Sequence, residues 1–216
     1  MISDKIKNIE KVIPKEVQLI AVSKTKPIEM IQEAMVNGHL DFGENKVQEI
    51  VFKHEALSKE IRWHMIGHLQ RNKVKYIAPF IHLIHGADSK KLIETINKEG
   101  KKNNRIINCL LQFHIAKEST KFGFSIEELR EIINLKIYQE WDYINITGVM
   151  GMATFTDNKV QVKEEFRLLR TFFEELKPFF GDDFKTLSMG MSGDYLEAIE
   201  QGSNMIRIGS DIFGTR

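Results

Sequence analysis

The chain has 216 residues, which is enough for one large domain or two small ones. Its 31 Lys and Arg residues nearly balance its 30 Asp and Glu residues, so the net charge of +1 disfavours nucleic acid as a partner. The sequence carries no membrane-length apolar run and no signal peptide, and its single cysteine excludes an internal disulfide. These features predict a cytoplasmic protein without membrane attachment.

Eight short apolar segments bounded by Gly, Asp, Ser or Asn are typical of buried strands. They are Val17–Ser23, Leu40–Gly43, Arg62–Ile66, Ile81–His85, Ile106–Phe113, Ile144–Val149, Thr186–Met189 and Met205–Ile208. Amphipathic helical patterns fill the intervals, at Pro27–Val36, Asn45–Leu57, Ser89–Glu99, after the capping box of Ser125 with Glu128, along Val162–Leu176, and after a predicted cap at Ser192. The alternation predicts an α/β fold, a (β/α)₈ TIM barrel that forms a single domain over residues 1–216, with an extra N-terminal helix at Ser3–Val12.

A lysine stands where the first predicted strand ends. Lys24 directly follows Val17–Ser23, and Pro27 lies at the start of the next helix. In such barrels the active site lies at the C-terminal ends of the strands. Desolvation favours an uncharged amine, and an uncharged amine attacks an aldehyde to form a Schiff base. The alternative is a lysine that only extends its ammonium group to solvent.

Two glycine-containing segments follow the last two predicted strands. Gly190-Met191-Ser192-Gly193 and Gly209-Ser210 offer backbone N–H groups and two hydroxyl groups. Loops after strands seven and eight often form the phosphate site of these barrels, and clustered N–H groups bind phosphate well. The sequence therefore predicts a phosphate site at Ser192, Gly209 and Ser210.

An amine nucleophile and a phosphate site on one face describe a phosphorylated aldehyde or ketone. Two ligands fit that description: a sugar phosphate in a Schiff-base aldolase, and pyridoxal 5′-phosphate. Position favours the second, because barrel closure would place strand eight, which ends at Arg207, beside the strand that ends at Lys24. An arginine is a suitable donor to an unprotonated pyridine nitrogen.

Six motifs that span nearly the whole chain carry a resemblance to a known family. They are Ala21-Val22-Ser23-Lys24-Thr25-Lys26-Pro27, Phe42-Gly43-Glu44-Asn45 with Val47-Gln48-Glu49, Trp63-His64 with Ile66-Gly67, Leu69-Gln70 with Asn72-Lys73, Leu187-Ser188-Met189-Gly190-Met191-Ser192, and Arg207-Ile208-Gly209 with Ile212-Phe213-Gly214. They resemble the pyridoxal-phosphate homeostasis protein family, a single barrel similar to the N-terminal domain of alanine racemase. The resemblance implies that Lys24 is the Schiff-base lysine and that Asn45 lies in the pocket. It also implies that Arg207 faces the ring nitrogen and that Ser192, Gly209 and Ser210 bind the phosphate.

The chain departs from the family pattern at a few positions. His68 stands where the family often has Pro, Arg71 where it often has Ser, and Ser210 replaces a frequent Thr while keeping the hydroxyl. The segment Phe113–Glu118 also differs, although Lys121-Phe122-Gly123 is kept. These differences concern the rim and any partner surface more than the cofactor site.

Seven histidines raise the question of a metal site. His64 and His68 flank one strand end, and His82 and His85 lie on another. No cysteine or carboxylate joins them at metal-ligand spacing, so no metal site is expected. His64 is expected to pack near the pocket or to hydrogen-bond locally. Glu44 is expected to support the site or to form a salt bridge rather than to act as an acid or base.

The pattern as a whole predicts a binding protein for pyridoxal 5′-phosphate that stores, buffers or delivers the cofactor inside the cell, with apo forms of pyridoxal-phosphate enzymes as candidate partners. No catalytic residue is expected, because an unprotonated ring nitrogen opposite Arg207 makes the cofactor a poor electron sink. The chain also ends at Arg216, where alanine racemase continues into a second domain with a catalytic tyrosine. The alternatives are an amino-acid racemase or lyase that uses the same cofactor, and the Schiff-base aldolase.

Overall fold

The computed structural model describes residues 1–117 and 122–215, which form a closed barrel of eight parallel strands surrounded by helices. The strands are β1 (Gln18–Val22), β2 (Asp41–Glu44), β3 (Arg62–Met65), β4 (Leu83–Ala87), β5 (Ile107–Gln112), β6 (Ile144–Met150), β7 (Thr186–Ser188) and β8 (Met205–Ile208). They pair in chain order, and β8 closes the barrel against β1. The predicted fold class is confirmed. Three residues named in the sequence patterns above lie outside the described residues: Glu118, Lys121 and Arg216.

Nine α-helices are present in the described chain, and the first of them precedes β1 as expected. They are α1 (Ile2–Val12), α2 (Ile28–Met35), α3 (Val47–Ala56), α4 (Val74–Ile77), α5 (Lys90–Lys102), α6 (Ile126–Asn134), α7 (Lys159–Phe180), α8 (Tyr195–Glu200) and α9 (Ser210–Phe213). The predicted capping box is confirmed, because the Glu128 amide donates to Ser125 Oγ and the Ser125 amide donates to Glu128 Oε2. Across the described residues, every helix falls short of the length or apolarity that crossing a bilayer demands.

Two details of the predicted elements were wrong. Strand β4 lies two residues later than predicted, because the Ile81 amide still donates to the Ile77 carbonyl at the end of α4. Ser192 does not cap α8, which begins at Tyr195 after Asp194. The Asp194 carboxylate instead closes the preceding turn by accepting from the Met191 amide.

The barrel interior combines an apolar layer with buried polar side chains. Its apolar cluster consists of Ile20, Leu83, Leu110, Met150 and Met205. Side chains alternate between the two faces of a strand, so His85 shares the inner face of β4 with Leu83, and Arg207 shares that of β8 with Met205. The larger apolar core lies between the strands and the helices, and it includes Cys109, whose thiol pKa is raised by burial. The barrel interior therefore holds the buried polar side chains of His85 and Arg207 beside its apolar cluster.

Candidate ligand-binding site

A cleft of about 940 Å³ opens at the C-terminal ends of the strands. All six site residues selected from the sequence line it: Lys24, Asn45, Ser192, Arg207, Gly209 and Ser210. Its rim includes His68, which is paired with Asp88 and stacked on Phe122, and the almost fully exposed Phe155. The structure thus brings the selected residues into one cavity, and their individual roles follow from local geometry.

Two neighbouring lysines at the end of β1 have different surroundings. Lys24 is half-buried and lines the cleft, and within the described chain its Nζ has no hydrogen-bond or ion-pair partner. Lys26 Nζ donates to the carbonyls of Gly214 and Thr215, at 3.0 and 3.3 Å. Lys24 is therefore the amine that is available to a ligand in the cleft.

A buried ion pair holds the residue before Lys24. Lys53, on α3, is 2% exposed, and its Nζ donates to the Ser23 carbonyl at 2.8 Å and to Glu44 Oε1 at 2.7 Å. Ser23 Oγ donates to the same carboxylate oxygen at 2.6 Å. Both the backbone and the side chain of Ser23 are fixed by this pair. The structure thus contains the salt bridge expected for Glu44.

A second carboxylate holds the residue after Lys24. Glu49 Oε1 accepts from Lys53 Nζ at 3.0 Å and also from the Thr25 amide. Thr25 has a φ of +65°, in the left-handed region that non-glycine residues rarely occupy. The contact with Glu49 stabilises this strained turn, so the direction in which Lys24 leaves the strand is set from both sides.

Glu44 is fully buried, and its pKa is shifted as a result. Burial raises the pKa of Glu44 to about 7, and the hydrogen bonds from Lys53 and Ser23 oppose that rise without cancelling it. Its Oε2 atom has no hydrogen-bond partner among the described residues. The carboxyl group beneath Lys24 thus changes its charge near neutral pH.

Arg207 supplies a buried cation on the strand beside Lys24. In the β1–β8 register, Arg207 is paired with Ile20, four residues before Lys24. The side chain donates to Ser188 Oγ at 2.6 Å and to the Gly151 carbonyl at 3.1 Å. Burial lowers the pKa of Arg207 to about 10, so the guanidinium is still charged at neutral pH. A guanidinium has five N–H donors, which leaves donors for an acceptor in the cleft.

Asn45 presents a buried acceptor at the end of β2. Its Oδ1 atom is buried and has no hydrogen-bond partner in the part of the chain that the structure describes. The backbone of Asn45 packs against Gly67, where an added Cβ would lie 2.6 Å from the Asn45 carbonyl oxygen. Only glycine fits there, so the loop after β3 sets the position of Asn45 in the cleft wall.

The wall formed by the loops after β7 and β8 consists mostly of backbone groups. Gly190 has a φ of +98°, and an added Cβ would lie 2.7 Å from the Ala198 side chain, so this loop depends on glycine. Ser192 Oγ accepts from the Gly209 amide at 3.4 Å, a long contact. Ser210 is exposed, and its hydroxyl donates to Asp211 at 3.2 Å. The polar groups of this wall are therefore accessible to an anion.

A polar chain runs through the barrel interior beneath the cleft. Ser188 Oγ lies 3.2 Å from His85 Nδ1, His85 Nε2 lies 3.0 Å from His64 Nδ1, and His64 Nε2 lies 3.1 Å from Asp41 Oδ1. Arg62 binds both carboxylate oxygens of Asp41. The chain thus connects Arg207, through Ser188, with the N-terminal ends of β2 and β3.

This chain corrects the sequence analysis on two points. His64 does not bond to local partners, because both of its nitrogens contact residues more than twenty positions away. A carboxylate does join the histidines: one ligand atom each from Asp41, His64 and His82 lie within 4.8 Å of one another. However, Arg62 engages both oxygens of Asp41 and His64 contacts the same carboxylate, so Asp41, Arg62 and His64 form an ion-paired hydrogen-bond network. Asp41 was missed because its partners lie on other strands.

Comparison with known proteins first defines the class of barrel. The family described as Alanine racemase, N-terminal domain, matches residues 1–216. The structure of alanine racemase from Clostridium difficile superposes with a TM-score of 0.77 at 13% sequence identity, and the match covers 100% of this chain and 56% of that one. At such low identity this likeness concerns the fold alone.

Closer relatives define the family. The pyridoxal phosphate homeostasis protein of Aquifex aeolicus is 38% identical over 200 residues, which are 92% of this chain and 87% of that protein. The protein of the same name from Homo sapiens is 36% identical over 211 residues, covering 92% of this chain and 76% of that protein. The chain therefore belongs to the pyridoxal phosphate homeostasis protein family. PipY of Synechococcus elongatus, solved with PLP bound, is 32% identical with a TM-score of 0.91, and the match covers 99% of this chain and all of that one.

Proposed function

We propose that this protein is a single-domain binding protein for pyridoxal 5′-phosphate that acts in intracellular cofactor homeostasis, by storing, buffering or delivering the cofactor. The proposal is carried by one observation: Lys24 and Arg207 leave neighbouring strands and line the same cleft. The names of the relatives and the PLP-bound structure of PipY support this choice of ligand.

The residues of the cleft fit this cofactor. Lys24 Nζ, which has no partner among the described residues, would hold the aldehyde carbon as a Schiff base. Arg207 would donate to the pyridine nitrogen, and Asn45 would offer its buried oxygen to a polar group of the ring. Ser192, Gly209 and Ser210 would bind the phosphate through hydroxyl and backbone N–H groups.

A carrier role follows from the chemistry of Arg207. Pyridoxal phosphate, when bound, supplies an aldehyde that exchanges between amines and a ring that can withdraw electrons. By donating to the ring nitrogen, Arg207 keeps that nitrogen unprotonated and so weakens electron withdrawal. The cleft would therefore hold and release the cofactor readily while supporting amino-acid chemistry poorly. Delivery to apo enzymes belongs to the same proposal.

The covalent anchor is tested by reducing the loaded protein with borohydride and mapping the modified peptide by mass spectrometry. We expect a pyridoxyl group on the peptide that contains Lys24. The visible absorption band should be lost in Lys24→Arg and kept in Lys26→Ala, the matched control. Labelling of Lys26 would contradict the assignment of the anchor. A protein that binds a sugar phosphate but never develops a visible band would instead support the aldolase.

The carrier role is tested by two measurements on the loaded protein. The first follows exchange of the α-hydrogen of L- and D-amino acids in deuterated water, and the second follows recovery of activity by an apo-form pyridoxal-phosphate enzyme. A carrier should transfer cofactor measurably and exchange α-hydrogens slowly. Stereospecific exchange at an enzyme-like rate of about 1 per second or faster would favour a racemase or lyase.

A further inference from the structure

The hydrogen bonds beneath Arg207 can run in only one direction. A guanidinium only donates and a carboxylate only accepts, and Arg207 and Asp41 stand at the two ends. His64 Nε2 must therefore carry a proton and donate it to Asp41. In a neutral imidazole this leaves His64 Nδ1 without a proton, so it accepts from His85 Nε2, and His85 Nδ1 in turn accepts the proton of Ser188 Oγ. The Ser188 oxygen is then left to accept from Arg207.

Burial and charge agree with this single arrangement. His64 and His85 are fully buried, and burial lowers the pKa of both, which favours the neutral imidazoles that the chain requires. Burial alone would raise the pKa of Asp41, but the hydrogen bonds from Arg62 and His64 outweigh it and hold the pKa well below its usual range. Asp41, the terminal acceptor, is therefore ionised, and each donor in the chain of hydrogen bonds faces an acceptor.

We propose that Ser188 and His85, anchored through His64 to Asp41, are positioning residues that hold Arg207 at the ring-nitrogen side of the cofactor. The inference rests on the proposed function. Arg207 is a long, buried cation whose hydrogen-bond partners, Ser188 Oγ and the Gly151 carbonyl, are both neutral. A buried network with one satisfied arrangement specifies one conformation, whereas a broken one leaves alternatives.

The same chain of hydrogen bonds explains why Arg207 is restrained by a residue as distant as Asp41. Ser188 alone could rotate its hydroxyl, because a serine proton turns to suit its neighbours. His85 Nδ1 accepts that proton and so directs it away from the guanidinium. His85 is itself oriented by His64, whose own partner Asp41 can only accept. The restraint on Arg207 therefore originates at Asp41, at the other end of the barrel, where Arg62 closes the network.

The first test needs no cofactor. Nitrogen NMR of the histidine side chains distinguishes the two neutral tautomers. We expect both His64 and His85 to carry the proton on Nε2, with Nδ1 unprotonated. A proton on Nδ1 of either residue would reverse the direction of the chain and overturn the proposal.

The second test measures binding of pyridoxal phosphate and of pyridoxal to single variants. Ser188→Ala and His85→Leu should weaken both ligands by about tenfold, equivalent to about 1.4 kcal/mol, because the ring nitrogen is common to the two. His85→Gln keeps one acceptor and one donor, and it should restore most of the affinity. Ser203→Ala is the matched control, since its buried hydroxyl lies within hydrogen-bond distance of the backbone carbonyls of Leu187, Met189 and Met205 and does not contact the chain of hydrogen bonds from Arg207 to Asp41.

A ligand analogue separates positioning of Arg207 from a general structural effect. In a pyridoxal phosphate analogue with carbon in place of the ring nitrogen, the acceptor for Arg207 is missing. Ser188→Ala should then cause no loss beyond that of Ser203→Ala. An equal loss with both ligands would mean that Ser188 only supports the fold, and would overturn the proposal.

The outcomes separate this inference from the proposed function. If the wild-type protein binds no pyridoxal phosphate, the proposed function fails. The His64 and His85 tautomers measured by NMR then still show whether the hydrogen bonds between Arg207 and Asp41 run in the stated direction. If the wild-type protein binds it and Ser188→Ala matches Ser203→Ala, the positioning role fails and the proposed function stands. Should His85→Leu not fold, Ser188→Ala and His85→Gln still decide the question.

Discussion

The two walls of the cleft differ in the groups that form them. Beside β1 and β2, the buried pair of Lys53 and Glu44 fixes the turn that carries Lys24. Beside β7 and β8, glycine-rich backbone presents Ser192 and the exposed Ser210. An amine that forms a covalent bond needs a defined direction, whereas a phosphate needs only accessible donors. The first wall should therefore respond to loss of single charges and to pH, and the second only to added bulk or charge.

The largest effect is expected from Lys53→Met. At about pH 8, where Glu44 is mostly ionised, removing Lys53 leaves the buried carboxylate without compensation or forces it to take up a proton, and breaking a buried ion pair typically costs about 3–5 kcal/mol. The free energy of unfolding, measured in urea at that pH, should fall by that amount. Lys26→Met is the matched control, because the partners of Lys26 Nζ among the described residues are the backbone carbonyls of Gly214 and Thr215. Loss of those neutral contacts should cost about 1 kcal/mol. Equal losses in the two variants would contradict the distinction between the walls.

A smaller effect, with a defined sign, is expected from Glu44→Gln. The pKa of Glu44 is raised to about 7 in the folded protein, so its protonated form is favoured there. The stabilisation contributed by the protonated Glu44 carboxyl group is fully present below the pKa that Glu44 has in the unfolded chain, and it is lost as pH rises through about 7. Between about pH 4.5 and pH 8, the wild-type free energy of unfolding should therefore fall by up to about 3 kcal/mol relative to Glu44→Gln.

The control for this titration is Glu200→Gln, whose carboxylate pairs with Lys163 at the surface. The wild-type protein and this variant should show nearly parallel pH profiles. If the wild-type protein instead became more stable relative to Glu44→Gln as pH rose over this range, the salt bridge with Lys53 would outweigh burial. The Lys24 turn would then be held by an ionised Glu44 throughout.

The sequence predicted the cleft better than it predicted what supports it. Lys24, Asn45 and Arg207 could be selected because each lies at or beside the end of its own strand, and barrel closure brings those ends together. Lys53 could not, since a lysine in an amphipathic helix looks exposed until the helix is packed against β2. Asp41 was missed because strand periodicity predicts which face a residue occupies but not its partner on another strand. Helix α4, with four residues, is too short for periodicity to show.

The smallest effect is expected on the backbone wall and depends on the kind of change. Ser210→Ala should leave affinity for pyridoxal phosphate within about twofold, because the exposed hydroxyl is one donor among several N–H groups. Ser210→Glu adds charge beside Asp211 and should weaken pyridoxal phosphate by about tenfold, or about 1.4 kcal/mol. Pyridoxal, which has no phosphate, should bind both variants as it binds the wild-type protein.

Ligand competition followed by the visible absorption band measures these affinities. Equal weakening of both ligands by Ser210→Glu would mean that the residue disturbs the cleft as a whole, and the phosphate would have to lie elsewhere. Selective weakening of the phosphorylated ligand would support a division in which buried charges direct the Lys24 amine and an open backbone wall binds the anion. That division would let the phosphate leave while the wall that carries Lys24 keeps its shape, as the proposed release of the cofactor would require.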